Sequence, residues 1–486
     1  MRSVYRLPPE ILTDIFERCP FRARWLAKPV HHIERTDTRL DKTPLFCASV
    51  CQQWRYVALN TPQLWSLIAV NPQRDQCGLY DLMQLWLSRA GNSLLSLCIK
   101  VDSEFGGVPG FMELFASRSH FWHNVLLQVS QSELEVLSSV HGQLPNLQML
   151  KIYLSRKTFD YEGRQRPGVG GDGIWFQPDP IIVHAFSCAP QLRSFEAIVY
   201  GEYAKHSRFT VPWVQLRSIL LGSNFSARDQ LDILKSASGV ELCNLSLTGE
   251  SVMNRWNRLQ VAVELPQLHQ LVLRTSLAQR PSAFLAALRL PIISELYFHA
   301  QAPDQAPDVR WDSWTVALTR LLSGSLLQKL TISCQESSEP SDEQILEILQ
   351  VTNHLQELSL ITLSDHRHRT PACLSPVFLR RIRRRDNSES PALMPELHTL
   401  TFTYDPRMLV VDMVEFAEII ESRISCIRAG MKSVHIRCPR DLWDQLELSE
   451  LKALPNWPAL RAAGADVRIT QGFSFLDHSH CWSGYT

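Results

Sequence analysis

A short apolar word recurs along this chain from about Gly91 onward: an apolar residue, a second three positions later and a third two further on. It reads Leu94, Leu97, Ile99; Leu147, Leu150, Ile152; Leu192, Phe195, Ala197; Leu216, Ile219, Leu221; Leu242, Leu245, Leu247. It continues as Leu268, Leu271, Leu273; Ile293, Leu296, Phe298; Leu327, Leu330, Ile332; Leu355, Leu358, Leu360; Leu397, Leu400, Phe402. A copy at Trp122, Val125 and Leu127 fills the first gap, and a faint one at Val434 and Ile436 closes the series. From Leu192 through Leu216, Leu242 and Leu268 to Ile293 the steps are 24, 26, 26 and 25 residues. Alternating apolar positions suit a short strand, and the intervening ARDQLDILKSAS and DEQILEILQVT carry helical spacing. A strand-helix unit of this length cannot bury its apolar face alone, so the period predicts copies stacked into an α/β solenoid.

The words resemble degenerate leucine-rich repeats, whose period is about 20 to 29 residues. Several follow Pro-x-Leu, as in LPNLQML, APQLRSF, LPQLHQL and MPELHTL. The resemblance implies an irregular horseshoe over residues 71–456, with 457–486 as a carboxy-terminal cap or tail. The asparagine or cysteine that usually follows the third apolar position is mostly missing, Cys334 and Asn224 coming nearest. Two intervals, Leu147 to Leu192 and Leu355 to Leu397, are long because YEGRQRPGVGGDG and HRHRTPACLSPVFLRRIRRRDNSES intrude.

Ahead of the repeats, Leu7-Pro8-Pro9-Glu10 opens a helical pattern, since proline suits a first turn and Glu10 complements the dipole. Ile11, Leu12, Ile15 and Phe16 form its apolar stripe, and Pro20 stops a helix running from about Pro8 to Cys19. A second helical stretch starts near Thr43-Pro44 and continues through LFCASVCQQWRYVALN, with Leu45, Phe46, Val50, Cys51, Trp54, Val57 and Ala58 on one side. A proline turn at Thr61–Trp65 and a strand SLIAV follow.

LPPEILTDIFERCP, VCQQWRYVALNTPQLW and SLIAV together resemble the F-box domain in its fungal form, over about Leu7 to Val70. The stretch FRARWLAKPVHHIERTDTRLDK between its halves is longer than the family's usual loop and reads as a surface insertion at about 21–43 of a 1–70 module. The resemblance implies docking on the Skp-type adaptor of a cullin-RING ubiquitin ligase. So small a module has more apolar side chains than its own core can cover, which makes Leu7, Pro8, Ile11, Leu12, Ile15, Phe16, Val50 and Trp54 the candidate partner-binding residues. Among them Leu7, Pro8 and Ile11 are the stronger interface candidates, with Trp54 and Cys51 mainly core.

Charge adds no partner of its own. Lys plus Arg and Asp plus Glu both number 49, so no global field recruits nucleic acid or an anionic membrane. The 12 cysteines form no CxxC pair, which suits free thiols in a reducing cytoplasm or nucleus. No secretory leader and no membrane span is expected.

Catalytic chemistry finds no residues to carry it: GK[ST], GxGxxG, GxSxG and HExxH patterns are missing. The glycine-rich Gly168–Gly173 stretch reads as a loop, and His31-His32, His366-Arg-His368 and the terminal His478-Ser-His480-Cys481 have no second pair at ligand spacing. The run Arg380, Arg381, Arg383, Arg384, Arg385 is a solvated face, a nuclear-targeting signal or a site for an acidic partner. The expectation is therefore a non-enzyme without cofactor or metal that binds a protein substrate. The alternative keeps the fold but has the helical module merely cap the solenoid of a scaffold outside any ligase.

Overall fold

The computed structural model describes residues 7–18, 42–70, 78–101, 110–129, 131–154, 182–199, 208–222, 225–247, 262–276, 282–301, 311–335, 340–363, 376–382, 393–403, 432–438 and 466–471. These fall into two compact units, one ending at Gly222 and one beginning at Phe225. The insertion at 21–41, the Gly168–Gly173 loop, Arg383–Arg385 and all three histidine clusters lie outside the described residues.

The first unit opens with three short helices, α1 (Pro9–Glu17), α2 (Thr43–Val50) and α3 (Gln52–Leu59). Pro8 caps α1 and Pro9 starts it, as the sequence predicts. The single second helix expected from Thr43 to Asn60 is instead two, because Cys51 is extended at φ −160° and ψ 174°. Its sulfur then accepts the Trp54 N–H at 3.4 Å, so Cys51 serves as the N-cap of α3 and is only half-buried.

A 3₁₀ turn at Pro62–Trp65 leads into β1 (Leu67–Val70), α4 (Leu79–Ala90), β2 (Leu95–Lys100), α5 (Phe111–Ala116), β3 (Trp122–Val129), α6 (Gln131–Val136) and β4 (Met149–Leu154). Gly78 and Gly110 supply the left-handed φ of 81° and 78° needed just before α4 and α5. The unit ends with β5 (Ile182–Val183), β6 (Ser194–Val199), β7 (Arg208–Phe209) and β8 (Ser218–Leu221). Its main sheet runs β1-β2-β3-β4-β6-β8, every pairing parallel, while β5 and β7 pair parallel apart from it.

The second unit carries α7 (Ala227–Ser236), β9 (Leu242–Leu247), β10 (Val263–Glu264), β11 (Gln270–Ser276), α8 (Ser282–Ala287), β12 (Leu288–Arg289), β13 (Glu295–Gln301) and α9 (Trp311–Leu322). It continues as β14 (Lys329–Gln335), α10 (Asp342–Gln350), β15 (Glu357–Leu363), α11 (Pro376–Ile382), β16 (Thr399–Thr403), β17 (Ser433–Cys438) and β18 (Asp466–Gln471). All pairings in its sheet, β9-β11-β13-β14-β15-β16-β17-β18, are parallel. Local signals start its helices: Ser226 accepts the Asp229 N–H at 3.1 Å, and Ser341 with Gln344 forms a capping box.

The recurring words set the register. Leu271, Leu296, Leu330, Leu358, Leu400 and Val434 stand in one row across six strands, and Leu273, Phe298, Ile332, Leu360 and Phe402 in the next. Every one of these side chains is at most 2% exposed. In the first unit Leu97, Val125, Leu150, Phe195 and Ile219 form the equivalent row, with exposures of 0 to 1%. At about 1.5 to 3 kcal/mol per fully buried large aliphatic, these rows dominate the stability of both sheets.

Two words sit differently from the sequence pattern. Leu245 pairs with Leu273 and Cys243 with Leu271, so the copy read as Leu242, Leu245, Leu247 is really Val240, Cys243, Leu245, two residues earlier. Val240 is fully buried where Leu242 is 39% exposed, which makes the neighbouring steps 24 and 28 residues. Likewise Leu94 is 46% exposed, and Leu95, 2% exposed, takes its place beside Trp122 because the register shifts between Leu95 and Ser96. A last strand, β18, pairs with β17 inside the segment expected as cap or tail, so the sheet extends past residue 457.

The helices run directly into the first strand: Trp65 is fully buried, meets Trp86 of α4 at 4.8 Å and donates its indole N–H to the Ala58 carbonyl at 2.8 Å.

Candidate protein-docking surfaces

Helix α1 splits its apolar residues between two faces. Leu12 and Phe16, four apart, are 0% and 1% exposed, whereas Ile11 and Ile15, one residue behind each, are 47% and 44% exposed. One residue is a 100° turn, so the stripe read from sequence is too wide for one face. Phe16 meets Trp54 of α3 edge-on at 4.9 Å, and Gln53 Nε2 ties α3 back to the Leu7 carbonyl at 2.9 Å. Leu12 and Phe16 are thus core, not surfaces a partner could reach, which corrects their place among the partner-facing candidates.

Of the remaining candidates, Pro8 and Val50 are exposed, Leu7 and Trp54 half-buried. The Trp54 indole N–H is shielded from water and has no hydrogen-bond partner among the described residues. The break at Cys51 also separates residues placed on one side of a single helix: Val57 and Ala58 are buried, but Phe46 is 67%, Val50 53% and Leu45 39% exposed. Tyr56 and Leu59 of α3 face outward as well. Sequence reasoning named Val50 as partner-facing but passed over Leu45, Phe46, Tyr56 and Leu59, though TPLFCASV is largely apolar and a two-sided apolar helix in a module with one core must show one side to water.

Alternate strand positions form the second surface. In the second unit the row holds Glu295, Lys329, Glu357, Thr399, Ser433 and Asp466. Its members pair sideways: Lys329 Nζ lies 3.4 Å from Glu357 and above the Tyr297 ring, whose hydroxyl donates to Glu295 at 3.1 Å. Thr399 and Ser433 share a hydrogen bond of 3.0 Å. On β18 the exposed Arg468 guanidinium hydrogen-bonds Asp466 at 2.7 Å and holds that carboxyl below the usual carboxylate range.

In the first unit the corresponding positions are apolar at one end, with Leu67, Ala69, Cys98 and Leu126 buried together against Tyr153. Next to them Lys151 of β4 faces Glu196 of β6 in register, Nζ to Oε2 3.4 Å, with side chains only 8% and 7% exposed. Each charge offsets part of the desolvation cost of the other in this low-dielectric site.

Among the described residues no three His, Cys, Asp or Glu side chains converge as a metal site, and no helix is long and apolar enough to cross a membrane. The described exposed side chains include apolar ones on the first three helices and the paired polar rows on the strands. Compared with models of known families and with curated proteins, the chain gives no match.

Proposed function

We propose that this chain is the substrate-receptor subunit of a Skp-cullin-F-box ubiquitin ligase, working in the cytoplasm, the nucleus or both. The F-box-like helices dock on the Skp-type adaptor, and the leucine-rich-repeat-like solenoid holds the protein substrate. One observation carries the reading: the helical module already has a core in Leu12, Phe16, Cys47 and Val57, yet keeps Ile11, Ile15, Phe46 and Val50 between 44% and 67% exposed. Covering one large aliphatic or aromatic side chain yields about 1.5 to 3 kcal/mol, so a partner surface over four of them gains a useful fraction of a stable complex. The parallel rows behind the module support the substrate half, since stacked repeats offer wide surfaces on alternate strand positions. The chain itself performs no chemistry in this account; it raises the effective concentration of substrate beside a charged conjugating enzyme.

A second reading has its own support. Trp65 packs on Trp86 and β1 joins β2, so the helices also close the first edge of the sheet, as a capping module in a non-ligase scaffold would. Affinity purification from cells separates the two. The full chain recovers a cullin and its adaptor under the ligase reading, and Phe46→Asp with Val50→Asp abolishes that recovery. Recovery of other proteins with no cullin supports the scaffold.

A further inference from the structure

Between Thr43 and Val70 the chain carries a single charged side chain, Arg55. It stands on α3 among exposed apolar neighbours, Tyr56 at 66% and Leu59, one turn further on, at 41%. Its Nε–H donates to the Ala48 carbonyl at 2.9 Å, one of the last α2 carbonyls, which lack partners within their own helix. That bond reaches across the break at Cys51 and sets the guanidinium beside the last turn of α2, whose Phe46 and Val50 are 67% and 53% exposed. Arg55 is itself exposed, and among the described residues no carboxylate pairs with it and neither Nη group has a hydrogen-bond partner. Arg18 of α1, by contrast, is held by Asp14 at 2.9 Å. The Arg55 guanidinium is thus oriented and without a counter-charge inside a face of apolar side chains.

We infer, on the basis of the adaptor docking proposed above, that the surface received by this face presents a carboxylate to Arg55, which makes Arg55 its specificity-determining contact. Desolvation sets the requirement. A partner that covers Phe46, Val50, Tyr56 and Leu59 also strips water from the guanidinium between them, and a charge buried without a counter-charge opposes association. A planar fork with its Nε already tied to Ala48 is arranged to take an Asp or Glu side chain through its two Nη groups. The apolar side chains then supply contact area, while the ion pair fixes the register and turns away neutral or basic surfaces.

The test titrates a purified Skp-type adaptor calorimetrically into the full chain and into three Arg55 variants. Arg55→Ala is expected to weaken binding at least about tenfold, Arg55→Glu to weaken it further than alanine does, and Arg55→Lys to keep part of the affinity, because there the charge survives and the fork does not. Loss of the Ala48 tie alone would weaken all three alike. A footprint that needs no variant accompanies the titration: phenylglyoxal, which modifies exposed guanidinium groups, is added to the full chain with and without adaptor, and Arg55 is followed by peptide mass spectrometry. Bound adaptor is expected to slow modification of Arg55 at least about tenfold, since a guanidinium held in an ion pair is withheld from the reagent. Saturable binding that leaves Arg55 unprotected, or equal affinities of the alanine and glutamate variants, overturns the inference and leaves the adaptor reading standing. No binding by the unaltered chain overturns both.

Discussion

Phe16 and Trp54, 38 residues apart in sequence, meet edge-on with ring centroids 4.9 Å apart and join the first helix to the third. On the other side of α1, Ile11 and Ile15 are exposed. Truncating Phe16 to alanine removes a fully buried ring and is expected to cost about 3 to 5 kcal/mol. Ile15→Ala, one residue away on the exposed face, stays within about 0.5 kcal/mol. Hydrogen exchange of the α1 and α3 amides distinguishes the two: protection falls sharply in the first variant and holds in the second. Equal losses would mean that Ile15 is core.

The register of β9 gives a second test. Val240 is fully buried and Leu242 is 39% exposed, so Val240→Ala is expected to lower stability by about 1 to 3 kcal/mol and Leu242→Ser by less than about 0.5. Urea denaturation midpoints of the two variants measure the difference, and a reversed order would restore the register that the apolar spacing alone suggests.

That case also shows where the sequence is legible. Ten of the twelve words lie on the strand and in the phase their spacing predicts, because a parallel sheet stacked at a fixed period leaves each apolar pair one place to go. The word at Leu242 misleads because Cys243 is not an obvious core residue beside three leucines, although it is small, apolar and 2% exposed. At Leu94 the bulge beside Leu95 shifts the pattern by one, and a bulge leaves no periodic trace. In the helical module the stripe of α1 is visible in sequence, but its division into a buried and an exposed half depends on where α3 packs. The break at Cys51 is invisible to periodicity, since the residues on both sides keep helical spacing.

The Lys151 and Glu196 pair makes a third prediction. With both side chains under a tenth exposed, Glu196→Ala removes the carboxylate that faces a buried ammonium and is expected to cost about 3 to 5 kcal/mol. The double variant Lys151→Met, Glu196→Leu recovers most of that loss, because shape-matched apolar side chains remove the need for compensation. Thermal unfolding of the single and double variants reads the coupling; additive losses would show that the two side chains do not depend on each other.

Asp466 titrates below an ordinary aspartate because Arg468 donates to its carboxylate. A carboxyl lowered in the folded state lends stability above its unfolded value and loses it as pH falls through the folded value. Because Asp466 and Arg468 are exposed, the effect is seen better by NMR than by denaturation. The Asp466 side-chain carbon is expected to titrate at a lower pH than a model aspartate, and Arg468→Ala moves it back up. An unaltered titration would mean that the hydrogen bond does not persist in solution.

In the function proposed above, exposed apolar side chains on the first helices hold an adaptor. Calorimetric titration of a purified Skp-type adaptor into the full chain, and into an Ile11→Asp, Val50→Asp variant with unchanged circular dichroism, measures it directly. Saturable binding to the first and at least about a hundredfold weaker binding to the second are expected, since two desolvated apolar contacts are each worth roughly 1.5 kcal/mol or more. No binding by the unaltered chain, or equal affinity in the variant, would contradict it.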